Sequence, residues 1–309
     1  MTAAQQKFGT GVFYVLLANL GWSLSGLFVR LMPSLSGWQI NCWRGFWMAT
    51  ALLVYAVLIH GRHTGRIFKV IPGYAMLWSA VCFAAGTTIY VVSLTLNTTA
   101  AVSVIGATSP LVTGLLSPWI TGEKPGLLNW LAALIAVAGT AVIGWNGFSS
   151  GQIWALALCF GVPFTFAIQT LLLRRYRDID MMPSICAGGF LSFVVAGLVS
   201  LSGFAGASAF DLSQHDFLLL MLMGPLQLSI PLIFYGMGAR SVPAITLSLL
   251  AMMDALINPF WSWAFAGEVP DKYSVIGGGI ILLAVLLSVL AQQWFQYKQI
   301  GQAVSDQLH

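Results

Sequence analysis

Residues Gly122-Glu123-Lys124-Pro125 return, with one letter changed, as Gly267-Glu268-Val269-Pro270. The copies stand 145 positions apart (268 − 123), close to half of the 309-residue chain. At the same offset Tyr90 meets Tyr235, Ser103 meets Ser248, Leu111 meets Leu256 and Ser117 meets Ser262. The GExP pair carries the argument, because Leu and Ser matches mean little where so few residue types are used. A duplication of this length says that the fold is assembled from two related halves.

The medium in which those halves fold follows from charge. Only 7% of residues are charged and 58% are hydrophobic, against roughly 25% charged in an average soluble domain. So few charges could not cover the surface of a soluble protein of this size, so apolar surface must face lipid. The net charge of +4 does not point to nucleic acid, because the basic residues lie in short loops. Cys42, Cys82, Cys159 and Cys186 all fall in apolar runs and read as small core residues rather than a disulfide or metal set. The polar start runs directly into a full-length span, so no cleaved signal peptide is expected.

A helix needs roughly 20 apolar residues to cross a bilayer. The chain accordingly divides into about ten spans, near 10–31, 36–60, 71–93, 98–119, 126–145, 151–173, 183–203, 215–238, 243–265 and 272–295. The expected fold is an all-α polytopic membrane protein with two five-helix repeats, 10–145 and 151–295, and a tail at 296–309. With the N-terminus inside, ten basic residues are cytoplasmic: Lys7, Arg62, Arg66, Lys69, Lys124, Arg174, Arg175, Arg177, Arg240 and Lys298. Only Arg30 and Lys272 are external, which places both termini in the cytoplasm. Five is odd, so the second repeat must be inverted relative to the first. Inverted repeats suit alternating access in transporters.

Proline and polar residues single out some spans. Pro110 and Pro118 lie in the fourth span, Pro163 in the sixth, Pro225 and Pro231 in the eighth and Pro259 in the ninth. Each invites a kink or is simply tolerated in a membrane helix. The fifth and tenth spans instead carry small residues (Ala132, Ala136, Thr140; Gly277 to Gly279, Ala284), which let helices pack closely. The proline-bearing spans and the first and third also hold Asn19, Trp22, Thr87, Tyr90, Ser109, Gln169, Gln227, Tyr235 and Asn258. Buried amides and hydroxyls need partners, so these line a wet cavity or bond between helices.

Two ionisable residues fall within spans. Asp254, near the middle of the ninth, is a candidate proton carrier or ammonium partner, with a packing carboxyl as the alternative. Arg44, a third of the way into the second, is expected to snorkel outward or bond helix ends, with contact to substrate as the alternative. Trp38, Trp78, Trp145, Trp154 and Trp294 fall near span ends as interfacial anchors, and Trp22 lies deeper.

Ten spans and the run Pro110…Pro118-Trp-Ile-Thr-Gly-Glu123-Lys-Pro125 before a small-residue helix resemble the drug/metabolite transporter superfamily. The repeated unit resembles its EamA-type repeat, whose Gly-Glu hallmark appears at Gly122-Glu123 and Gly267-Glu268, and the position of Arg44 fits as well. Within the superfamily the chain is most similar to the YddG-type exporters of aromatic and other neutral amino acids. That resemblance implies export across the bacterial inner membrane through a central cavity lined by spans 1, 3, 4, 6, 8 and 9. It implies a small-molecule substrate, no cofactor and a monomer or homodimer. Arg44, Glu123, Glu268, Pro110 and Pro163 are then structural. A carrier of another small metabolite or a hydrophobic drug is the alternative. An enzyme would need metal ligands or a nucleophile–base pair within the spans. The four histidines (His60, His63, His215, His309) lie in loops or at helix ends, and no HExxH spacing occurs.

Overall fold

The computed structural model describes residues 3–96, 102, 105–143, 157–203, 208–254, 257, 261, 264–265 and 272–307. Among these there are helices and turns and no strands. The helices are α1 (Ala3–Trp22), α2 (Ser25–Leu31), α3 (Gly37–His60), α4 (Thr64–Val70), α5 (Gly73–Leu96), α6 (Ser109–Ile120) and α7 (Leu127–Ile143), then α8 (Gly161–Arg175), α9 (Met182–Leu201), α10 (Gln214–Met223), α11 (Ile230–Ala239), α12 (Ala244–Ala251) and α13 (Lys272–Gln307). Seven described segments are long and apolar enough to cross a membrane, and Leu127–Val142 is a shorter apolar helix. The expected fourth and ninth spans are described chiefly through α6 and α12. Asn258 and Glu268 lie outside the described residues.

Polarity runs inside out. Leu58 and Leu127 are 78% and 74% exposed on the outer face, whereas Asn19, Asn41, Gln169 and Gln227 are buried. That arrangement suits a hydrocarbon solvent, in which apolar faces are free to point outward and each polar group needs an internal partner.

Local chemistry sets the helix ends. Ser36 and Gln39 form a reciprocal capping box at the start of α3. Pro110 does not kink a span: it occupies the first turn of α6. Pro163 likewise falls in the first turn of α8. First-turn N–H groups have no intrahelical acceptor, so proline removes nothing there. In the eighth span the prolines do accompany an interruption: a π-helical turn, Gly224–Ser229, lies between α10 and α11, contains Pro225 and ends just before Pro231. The Ser229 hydroxyl donates to the Met48 carbonyl (2.9 Å) and the Gly224 carbonyl (3.3 Å). The wide turn is thereby anchored to α3.

The core is organised by close helix pairs. Helix α3 packs on α9 and α7 on α13. A Cβ on Gly45 would stand 2.9 Å from the Gly189 carbonyl oxygen, and the reverse holds as well. A Cβ on Gly139 would stand 2.9 Å from the Gly277 carbonyl oxygen. Each seam joins an element of the first half to the element at the same place in the second, spans 2 with 7 and 5 with 10. Two further cross-half pairs are crosswise counterparts of each other: α1 packs on α11, first span on eighth, and α5 on α8, third span on sixth.

Candidate functional site

Between the halves lies a cavity of about 320 Å³. Small-ligand sites typically run about 300–1,000 Å³, so this one suits a single small solute. One wall is aromatic. The Trp22 ring stands 5.0 Å from Tyr235 and 6.4 Å from Phe166, and Phe166 stands 5.9 Å from Tyr235. These tilted and edge contacts lie in the range where aromatic rings attract beyond their burial. The Tyr235 hydroxyl is bonded to Thr170 at 2.9 Å, which leaves its ring face as the wall.

Polar groups interrupt that wall from several helices. Gln169 accepts from Ser79 (3.2 Å) and donates to it (3.0 Å), and Ser79 meets Ser184 at 2.7 Å. Gln227 sits in the π-helical turn, 5% exposed, and its Oε1 has no partner. Ser109, from the first turn of α6, Tyr90 and Thr87 from α5, and Ser248 from α12 also line the space. Tyr90 and Tyr235, equivalent positions of the two halves, thus face one cavity.

Trp22, Thr87, Tyr90, Ser109, Gln169, Gln227, Tyr235 and Asp254 all line the cavity. Asn19 is not among its lining: fully buried, it donates to the Val15 and Leu250 carbonyls at 2.9 Å each and ties α1 to α12. Arg44 does not snorkel outward. It is 4% exposed, lines the cavity, and donates to Thr87 and, at 3.5 Å, to Asn41. Its direction is set by neighbouring oxygens on α3 and α5, which satisfy donors that would otherwise reach for the interface. The readable signal was Asn41, one helical turn earlier on the same face of α3. Thr140, from the small-residue helix α7, and Phe166 also line the cavity and were not foreseen.

Outside the cavity, Glu123 follows Gly122, whose φ of +76° makes the turn that ends α6. The carboxylate bonds to Arg174 and to the first N–H of α12.

The chain matches the EamA-like transporter family twice, over residues 9–145 and 150–290. It is 25% identical over 296 residues to protein RarD of Salmonella typhimurium, covering 94% of this chain and 97% of that one. The S-adenosylmethionine uptake transporter of Rickettsia felis is 22% identical over 298 residues, covering 95% and 97%. The pseudopaline exporter CntI of Pseudomonas aeruginosa is 22% identical over 189 residues, covering 60% of this chain and 63% of that one.

Proposed function

The chain belongs to the EamA-like transporter family of the drug/metabolite superfamily, and from that premise we propose that it exports aromatic and other neutral amino acids. It does so across the bacterial inner membrane, with both termini cytoplasmic and the repeats rocking about the cavity in alternating access. Ten spans in two inverted sets of five, 10–145 and 151–295, provide the moving parts.

The observation that carries this reading is the cavity itself: about 320 Å³, with an aromatic wall, neutral hydrogen-bonding groups from both halves and two ionisable residues, Arg44 and Asp254. Trp22, Tyr90 and Tyr235 pack the solute's side chain. Thr87, Ser109, Gln169 and Gln227 bond its polar end. Asp254 takes its ammonium or carries a proton, and Asn258 of the same span adds an amide. Asn19 acts through the α1–α12 seam. A phosphorylated solute is poorly served, because phosphate calls for several cationic donors.

Uptake of labelled Phe, Trp, Met and Thr into proteoliposomes, with and without a pH gradient, tests the reading. Saturable flux independent of the gradient supports a facilitated exporter. Flux that needs the gradient and is lost in Asp254→Asn makes Asp254 the proton site. Absence of flux for all four removes the amino-acid reading.

A second reading has its own support. Relatives carry the names of a pseudopaline exporter and an S-adenosylmethionine uptake transporter, so substrate and direction differ among similar chains. On that reading the same cavity carries another small metabolite or a hydrophobic drug, and a thermal-shift panel of such compounds picks it out.

A further inference from the structure

Arg44 was expected to serve the scaffold, yet its guanidinium lines the cavity at 4% exposure. An arginine side chain has five N–H donors in one plane and no acceptor. Nη2 is used on Thr87 and Asn41, while the Nε–H is buried with no partner. The two oxygens that hold it are themselves fixed. Thr87 donates to Asn41 Oδ1 at 2.9 Å, and Asn41 Nδ2 donates to Thr88 and Ser192 at 3.0 Å each. Among the described residues Arg44 forms no ion pair. The guanidinium is therefore oriented by neutral groups that, among the described residues, do not compensate its charge. A buried cation in that condition is costly in a low-dielectric bundle and gains most from an anion arriving within the cavity.

We propose that Arg44 is the anion-binding residue of the cavity and takes a carboxylate of the solute on its remaining Nη–H donors. This rests on the small-solute reading above and deepens it. One guanidinium in so small a cavity matches one carboxylate on a compact body, bound by charge-assisted hydrogen bonds. The same cavity holds acceptors for an ammonium, Gln227 Oε1 and Asp254. Arg44, Tyr90 and Asp254 all line this one cavity. A zwitterion therefore finds a partner for each end.

The test uses the full chain in nanodiscs and isothermal titration with three probes. L-phenylalanine has both charges, 3-phenylpropanoate has the carboxylate alone and L-phenylalaninamide has the ammonium alone. The wild type should bind the two acids at least about tenfold more tightly than the amide. Arg44→Gln should erase that preference, bringing the acids down to the amide's level, while Arg44→Lys retains part of it. Thr87→Val removes one fixing bond and should cut the preference about threefold, so it carries the comparison if Arg44→Gln does not fold. The proposal is overturned by a preference unchanged in these variants, by an amide bound as tightly as the acids, or by a wild type that binds neither acid. If 3-phenylpropanoate binds through Arg44 while L-phenylalanine does not, the carboxylate site stands and the amino-acid reading falls.

Discussion

Glu123 Oε1 and Arg174 Nε meet at 2.6 Å although 51 residues separate them. The other carboxylate oxygen accepts the Ala244 N–H at 2.9 Å, at the first residue of α12. Arg174 continues to the Ala239 and Arg240 carbonyls, at 3.1 and 3.0 Å. One glutamate of the repeated motif thus joins the end of α6 to the ends of α8 and α11 and the start of α12. The N-cap of α12, Pro243, makes no side-chain cap bond, so Glu123 supplies from a distance both the missing acceptor and a charge suited to the helix dipole.

Replacing Glu123 by Ala should lower stability by about 1–3 kcal/mol, the combined loss of a cap and a partly buried ion pair. Glu123→Gln keeps an acceptor and should lose about half as much. Tryptophan fluorescence during thermal unfolding in detergent reads both, and unchanged midpoints would remove this tie from the account of stability.

Trp22→Ala should raise the KM for Phe and Trp about tenfold and that for Thr much less, because only the large rings use the wall formed with Phe166 and Tyr235. Trp22→Phe should recover most of the loss. Equal effects on Phe and Thr in the liposome assay would mean that Trp22 holds the fold and does not touch solute.

Gln227→Met should raise the unfolding midpoint of the solute-free protein while weakening flux. An unpartnered buried acceptor costs about 1–3 kcal/mol, and methionine fills similar space without that cost. A lower midpoint combined with normal flux would contradict the assignment.

Gly139→Leu should destabilise the chain by about 3 kcal/mol or more, since its side chain meets the Gly277 backbone, which cannot move aside as a flexible side chain can. Differential scanning fluorimetry against the wild type is sufficient. Tolerance of leucine there would show that α7 and α13 separate readily.

Apolar run length was enough to read an all-helical membrane chain, because the bilayer demands one signal from every crossing segment. The small-residue spans were legible for a similar reason: Ala132, Ala136 and Gly277 state locally that another backbone comes close. What the sequence hid were relationships between distant elements. Nothing near Glu123 names Arg174 as its partner. Arg44 was read from its depth alone, which misses the oxygens of Asn41 and Thr87 that turn it inward. The sequence leaves Pro110 as either a kink or a tolerated proline, because the apolar run continues upstream of it, whereas the helix that contains it starts one residue earlier. Asn19 and Gln227 are both buried amides in apolar stretches, and only the assembled bundle sends one to a helix seam and the other to the cavity.

The π-helical turn at Gly224–Ser229 holds one residue more than an α-helical turn would. Removing a single residue there would let a regular ladder close and would turn everything downstream by about 100° relative to α10. Leu232 and Tyr235 would swing away from the cavity, and the face of α11 that meets α1, where a Cβ on Gly238 would stand 3.0 Å from the Gly11 carbonyl oxygen, would have to repack with them. The length of this one segment therefore sets which residues of α11 face the cavity and which meet α1, so the register of the wall is written in a single turn.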